Sequence, residues 1–178
     1  MKKNLIKIIF LDIDGVLATI ESVKYGKKSW SLVEKKQKLF KILMENTGAK
    51  IVLSSSWRKW DLETTKEFMK EEGFWFWDEI IGVTIRAYQY IDRTKKIHLS
   101  IPRGVEIQQW IDTNIHSNNG KDFKEKKLGK DYQYVIIDDD TDMLFTQRNN
   151  FVNTDENKGL MSKDVKKAIK ILNQTISE

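Results

Sequence analysis

The chain has 178 residues, 40% hydrophobic and 32% charged, with a net charge of +5, a single proline and no cysteine. This is the composition of a soluble globular protein long enough to bury a real core; it excludes intrinsic disorder, disulfides, thiolate catalysis and zinc-thiolate sites. The basic excess suits a polyanionic partner but is dispersed, as it is in many merely soluble proteins, and the six tryptophans offer faces that stack on unpaired bases as well as ordinary core.

In chain order, Lys2 and Lys3 precede an apolar stretch as a secretory leader would, but Asp12 and Asp14 interrupt it and no small-residue cleavage site follows. A cytoplasmic protein is therefore expected, and no segment approaches the length of a membrane span. Residues 5–11 predict a first strand. Helical spacing of Leu32, Leu39 and Leu43, with Val33, Phe40 and Met44, predicts a helix that stops near Gly48. Ala49 to Leu53 predicts a second strand, and Asp61 is the expected cap of a helix burying Leu62, Phe68 and Met69 and stopping at Gly73. Glu79 to Thr84 reads as a third strand. Ile85 to Ser100 is irregular and polar, a connection or a small substrate-facing element. Pro102 starts a helix whose inward face holds Ile107, Trp110, Ile111 and Ile115. Ser117 to Lys130 reads as a solvated loop, Tyr132 to Ile137 as a fourth strand and Asn150 to Asn153 as a short fifth. Val165, Ala168, Ile169, Leu172 and Ile176 define a closing amphipathic helix with Ser162 as candidate N-cap. The alternation of strand and helix is that of an α/β domain with a largely parallel sheet, one domain over residues 1–178 without internal repeats. Nothing in it sets the oligomeric state.

Three strand ends carry unusual chemistry. The run Ile8-Ile9-Phe10-Leu11-Asp12-Ile13-Asp14-Gly15-Val16-Leu17 brings two carboxylates to the end of the first strand. A turn explains Asp14-Gly15, a common turn pair, but leaves Asp12 as an unexplained acid in an apolar strand. The second strand runs into Ser54-Ser55-Ser56-Trp57-Arg58, and the fourth into Asp138-Asp139-Asp140-Thr141-Asp142. Arg103-Gly104-Val105-Glu106-Ile107 opens a helix, where a positive charge opposes the helix dipole. Ligands of open parallel sheets bind at the carboxyl ends of the strands, so these elements belong together. Arg58 reads as a substrate-phosphate contact or an ordinary surface residue, Glu106 as support for Arg103 or a helix-start residue, and Asp140 and Asp142 as solvated loop carboxylates.

With Asp-x-Asp, Ser, Arg and Asp-Asp in that order at those strand ends, the chain resembles the haloacid dehalogenase (HAD) superfamily of phosphotransferases over nearly its whole length. The resemblance implies an HAD-like Rossmannoid fold, a three-layer α/β/α sandwich around a mostly parallel sheet. It implies Asp12 as nucleophile, Asp14 as acid/base, Ser54 as the hydroxyl on a phosphoryl oxygen, and Arg103 in the place of a basic residue that is more often lysine. Ser55, Arg58 and Gly15 are the accompanying substrate-binding candidates. A carboxylate facing a phosphate dianion needs a cation between them, and the implied cofactor is Mg2+, held by Asp12, the backbone carbonyl of Asp14 and a carboxylate of the Asp138-Asp139 pair. Two alignments of the last motif differ by one residue; Asp139 is preferred, with Asp138 the alternative.

Gly15 to Leu32 is too short for a cap domain, and Trp57 to Pro102 is mostly occupied by predicted elements, so an open site is expected. Open sites favour large substrates that close the cleft themselves. More narrowly, the motifs look like the HAD domains associated with RNA-repair proteins and, more weakly, phage polynucleotide 3′-phosphatase domains. A phosphorylated RNA or DNA end is then the implied substrate, although no Walker loop of a kinase accompanies it. The alternatives are a small-molecule or nucleotide phosphatase and a non-catalytic phosphate-binding module. An interaction protein would use Phe74-Trp75-Phe76-Trp77 as an exposed patch; inward packing of that run is preferred.

Overall fold

The computed structural model describes residues 5–19, 31–92, 94, 97–116 and 132–174. The predicted loop from Ser117 to Lys130 and residue Ile176 lie outside the described residues. The strands are β1 (Ile6–Leu11), β2 (Lys50–Leu53), β3 (Ile80–Val83), β4 (Tyr88–Asp92), β5 (Ile97–Ser100), β6 (Tyr132–Asp138) and β7 (Phe151–Asn153). The helices are α1 (Glu34–Thr47), α2 (Leu62–Glu71), α3 (Arg103–Ile111), continued by a π-helical turn over Asp112–His116, and α4 (Ser162–Leu172).

Five strands form a wholly parallel sheet in the order β3, β2, β1, β6, β7, with Ile9 opposite Ile51 on one side and Val135 on the other. Successive side chains of a strand point to opposite faces. Ile9, Leu11, Ile51, Leu53, Val135 and Ile137 therefore pack with Phe40 and Leu43 of α1, Met69 of α2 and Ala168 of α4. Ile8, Phe10, Val52 and Ile136 pack the other face against Ile107, Trp110 and Ile111 of α3. Both faces are covered, which is why these runs show no polar alternation. Each fully buried Ile, Leu or Phe contributes about 1.5–3 kcal/mol, so the central strands are the most firmly held part of the fold.

The fold is the three-layer α/β/α arrangement expected, and among the described residues no large cap domain stands over the sheet. Nor is any helix among them long and apolar enough to cross a membrane. Two local expectations change. The stretch from Ile85 to Ser100 holds the antiparallel pair β4–β5, whose base is joined where the Ile101 N–H donates to the Ala87 carbonyl at 3.1 Å. Its strands are short and the charged residues between them lack a glycine turn signal. Ser162 is the first residue of α4 rather than its cap; Asp164 reaches back and accepts from the Met161 N–H at 2.9 Å. The aromatic run folds inward as preferred: Phe74 is buried, Phe76 and Trp77 pack on the core, and Trp75 is left 43% exposed.

Candidate functional site

Asp12, Ser54 and Asp138 continue the even-numbered series of their strands, the one that faces α3. The Asp12 N–H still donates to the Ile137 carbonyl at 3.0 Å, and the Ser54 N–H to the Leu11 carbonyl at 2.9 Å, so both residues are held in sheet register at its carboxyl edge. Arg103, in the first turn of α3, lies over this edge. Its Nη1 donates to the Ser54 carbonyl and sits 3.9 Å from Asp12 Oδ1, while its Nε is 3.8 Å from Asp138 Oδ2. The unfavourable position on the helix dipole is offset by Asp142, whose Oδ2 accepts from the Arg103 N–H at 2.8 Å. Asp142 is thus an exposed residue docked on a helix start, not the merely solvated loop carboxylate expected. Gly104 permits the docking: a Cβ there would overlap the Leu144 amide and Gln147, whose Nε2 donates to the Gly104 carbonyl at 2.9 Å.

Beyond Asp12 the chain turns sharply, with the Leu17 and Ala18 N–H groups both donating to the Ile13 carbonyl at 2.9 Å. Gly15 occupies the left-handed region at φ 66°, and a Cβ on it would overlap the Asp139 carboxylate. Glycine is required twice here, for the backbone and for the space. Its carbonyl accepts from Thr154 Oγ1 at 2.9 Å. Asp14, at the start of this turn, is clamped from the β2 loop: Ser56 Oγ donates to one carboxylate oxygen at 2.9 Å and Trp57 Nε1 to the other at 2.8 Å.

The remaining candidates fall into place around this centre. Ser54 is buried, and its hydroxyl accepts from Thr84 Oγ1 at 3.3 Å. Ser55 is buried too; its hydroxyl accepts from the Trp57 N–H at 3.3 Å and is the serine hydroxyl that lowers the Asp12 carboxyl pKa. Arg58 is not an ordinary surface residue. It is buried, with Nη2 2.6 Å from Glu106 Oε2 and Nη1 donating to the Ser55 carbonyl at 2.7 Å. The partner of Glu106 is accordingly Arg58, not Arg103, and its second oxygen accepts from the Ala87 N–H at 2.9 Å. Burial lowers the Arg58 pKa and Glu106 opposes that. Sequence reasoning passed over Trp57, Thr154 and this ion pair. Trp57 had one signal, its place in the same loop as the serines, but its indole direction depends on a tertiary contact.

Burial pushes the Asp12 carboxyl up to about 6, against the pull of Arg103 and the Ser55 hydroxyl. It pushes Asp138 further, to about 8, with the neighbouring Asp12 charge adding to the effect and Arg103 opposing it. Burial also raises the half-buried Asp139. For Arg103 burial works the other way, but Asp12 and Asp138 outweigh it and hold its pKa above the ordinary value. Asp12 Oδ1 and Asp138 Oδ2 are buried with no hydrogen-bond partner, an arrangement that costs free energy unless a cation compensates it. One oxygen from each of Asp12, Asp138 and Asp139 lies within 4.8 Å of the others. Hard oxygen donors of this kind fit Mg2+ and disfavour zinc or copper. Both members of the Asp138-Asp139 pair are present: Asp138 faces Asp12 from the strand, and Asp139 lies over Gly15.

A parallel sheet with Asp-x-Asp at the end of its central strand, an arginine over that strand and an acidic pair on the next defines an HAD-type domain. Residues 8–165 match the family described as HAD domain in Swiss Army Knife RNA repair proteins, and the chain belongs to that family. No curated protein and no solved structure matches it significantly.

Proposed function

We propose that the protein is a Mg2+-dependent phosphomonoesterase that removes a phosphate from a nucleic-acid end, a 3′-phosphate, through an aspartyl-phosphate intermediate. The observation that carries the reading is Asp12 Oδ1: a buried carboxylate oxygen with no hydrogen-bond partner, 3.9 Å from Arg103 and at the open edge of the sheet. In this reading the Asp12 carboxylate attacks phosphorus, and the bond from phosphorus to the leaving oxygen breaks as Asp14 gives that oxygen its proton. Asp14 then takes a proton from water as the water attacks phosphorus, which frees Asp12 and releases inorganic phosphate. Ser56 and Trp57 hold the Asp14 carboxylate in one orientation through both steps. Arg103 holds a phosphoryl oxygen, its fork already oriented by Ser54. Asp12 and the Asp138-Asp139 pair would hold Mg2+, which would supply the positive charge that lets a carboxylate approach a phosphate dianion.

Support for a nucleic-acid end comes from the family, whose description is of RNA repair proteins, and from the absence of a large cap among the described residues. The test is release of inorganic phosphate from 3′-phosphorylated RNA and DNA oligonucleotides with Mg2+, for the natural chain and for Asp12→Asn. Release by the natural chain alone is expected; equal release by both would end the mechanism. Faster turnover of mononucleotides than of oligonucleotides would move the substrate to small molecules.

A further inference from the structure

Beside the candidate site lies a groove of about 570 Å³ whose walls include Lys59, Trp60, Val83, Thr84, Ile85 and Arg86. Trp60 is 93% exposed, the most exposed large apolar side chain among the described residues, and Ile85 is 47% exposed. Neither contributes to the core. Yet the backbone that carries Trp60 is fixed on both sides: the Lys59 N–H donates to Thr65 Oγ1 at 3.0 Å, and the Asp61 side chain caps α2 through the Thr64 N–H at 2.8 Å. Such a mount fixes the point from which the indole projects, so that only its two side-chain torsions remain to be ordered on binding. Arg86 also lines the groove, exposed and anchored by its Nη2, which donates to the Ser56 carbonyl at 2.6 Å. The groove is continuous with the centre. Ser56, Arg58 and Arg86 also line a second cavity of about 260 Å³ that extends to Arg103.

We propose that this groove binds the single-stranded segment next to the phosphorylated end, with one base stacked on Trp60 and an internucleotide phosphate against Arg86. The proposal rests on the reading of the Asp12 centre as the seat of a terminal phosphate, and it adds the substrate class: an unpaired polynucleotide strand rather than a duplex, a mononucleotide or a phosphopeptide. Aromatic stacking tolerates any base, and a cation beside it tracks the backbone, the combination by which single strands are held without sequence readout. A peptide would gain little from a lone flat indole beside an arginine, and a base inside a duplex is already stacked on both faces, so Trp60 reaches the penultimate bases only of an unpaired strand.

The test uses the full-length Asp12→Asn protein, which binds without turnover, and fluorescence anisotropy with 3′-phosphorylated single-stranded RNA, single-stranded DNA, the corresponding blunt duplexes and a phosphoserine peptide. Adding Trp60→Ala should weaken both single strands about tenfold, and Trp60→Phe should restore most of that loss. Adding Arg86→Ala should reduce the slope of log affinity against log salt by about 0.7. In the protein with Asp12 intact, Trp60→Ala should lower the ratio of kcat/KM for the oligonucleotide to that for p-nitrophenyl phosphate by about the same tenfold. Unchanged binding in Trp60→Ala overturns the proposal, as does binding of duplex or phosphopeptide as tight as that of single strands. If no substrate releases phosphate, the phosphatase reading fails, while the anisotropy series still decides the groove.

Discussion

Asp138→Asn isolates the electrostatic strain of the acidic centre. Burial and the Asp12 charge raise Asp138 from 3.8 to about 8, so the folded protein binds that proton more tightly than the unfolded chain does. A raised carboxyl pKa removes stability as pH climbs from the unfolded value toward the folded one and has no effect below both. At about pH 7 the interval above the unfolded value is roughly three pH units, which at 1.36 kcal/mol each gives about 4 kcal/mol. Asp12 shares the repulsion, so removing Asp138 alone recovers about 2–4 kcal/mol. Asparagine keeps the oxygen that accepts from the Asp140 N–H at 2.9 Å and carries no charge. For a chain of this size the gain corresponds to a Tm higher by about 5–10 °C.

The assay is thermal unfolding in chelator, for the natural chain and Asp138→Asn, from about pH 4 to about pH 8. The variant should be the more stable at the upper end and the two should converge at the lower end. Adding Mg2+ should raise the Tm of the natural chain and do little for the variant, because binding to the folded state alone stabilises it. A variant that melts at or below the natural chain near neutral pH in chelator would refute the argument, as would a difference that does not change with pH.

Glu106→Gln leaves the buried Arg58 charge without its counter-ion and should destabilise the fold by about 3–5 kcal/mol in urea titration; the double change Arg58→Met with Glu106→Leu should lose less. Trp57→Phe removes one of two hydrogen bonds that hold Asp14 and should lower kcat for phosphate release about tenfold with little change in KM. Gly15→Ala puts a side chain into both a left-handed backbone and the Asp139 carboxylate, and should cost more than about 1 kcal/mol of stability together with most of the Mg2+-induced rise in Tm.

What could be read from sequence follows from which contacts are local. The central strands were legible because a strand buried on both faces must be continuously apolar, and Asp12 stood out against that background as an acid with no local purpose. The order of the four motifs then specified the strand ends that meet. Partnerships between distant elements were not legible. Glu106 is three residues from Arg103, one helical turn, and helical neighbours are the natural first guess; only the packing of α3 against the β2 loop turns it to Arg58. The same holds for Asp142, whose role depends on the sharp return of the chain from β6 onto the start of α3. The β4–β5 pair was hidden because its strands are short and its turn has no sequence signature.

These tertiary partnerships converge on one segment, the loop that leaves β2. The carbonyls of Ser54 and Ser55 fix Arg103 and Arg58, the Ser55 hydroxyl lowers the Asp12 carboxyl pKa, and Ser56 with Trp57 fixes Asp14. The same loop then presents Trp60 to solvent at the rim of the groove. The path from Ser54 to Trp60 therefore sets the surroundings of Asp12, the orientation of Asp14 and the position of the exposed indole together. Lengthening that path by one residue would move Trp57 off Asp14 and Arg58 off Glu106 while leaving the sheet intact, since β2 ends before it. The buried Arg58–Glu106 pair acts as the lock: it joins the loop to α3, and through the Ala87 N–H to the base of the β4–β5 hairpin. An ion pair is a weak source of net stability but resists separation strongly, because either charge left alone in the interior is expensive. That property suits a joint that must hold three elements of the site in register when no large cap stands among the described residues to do so.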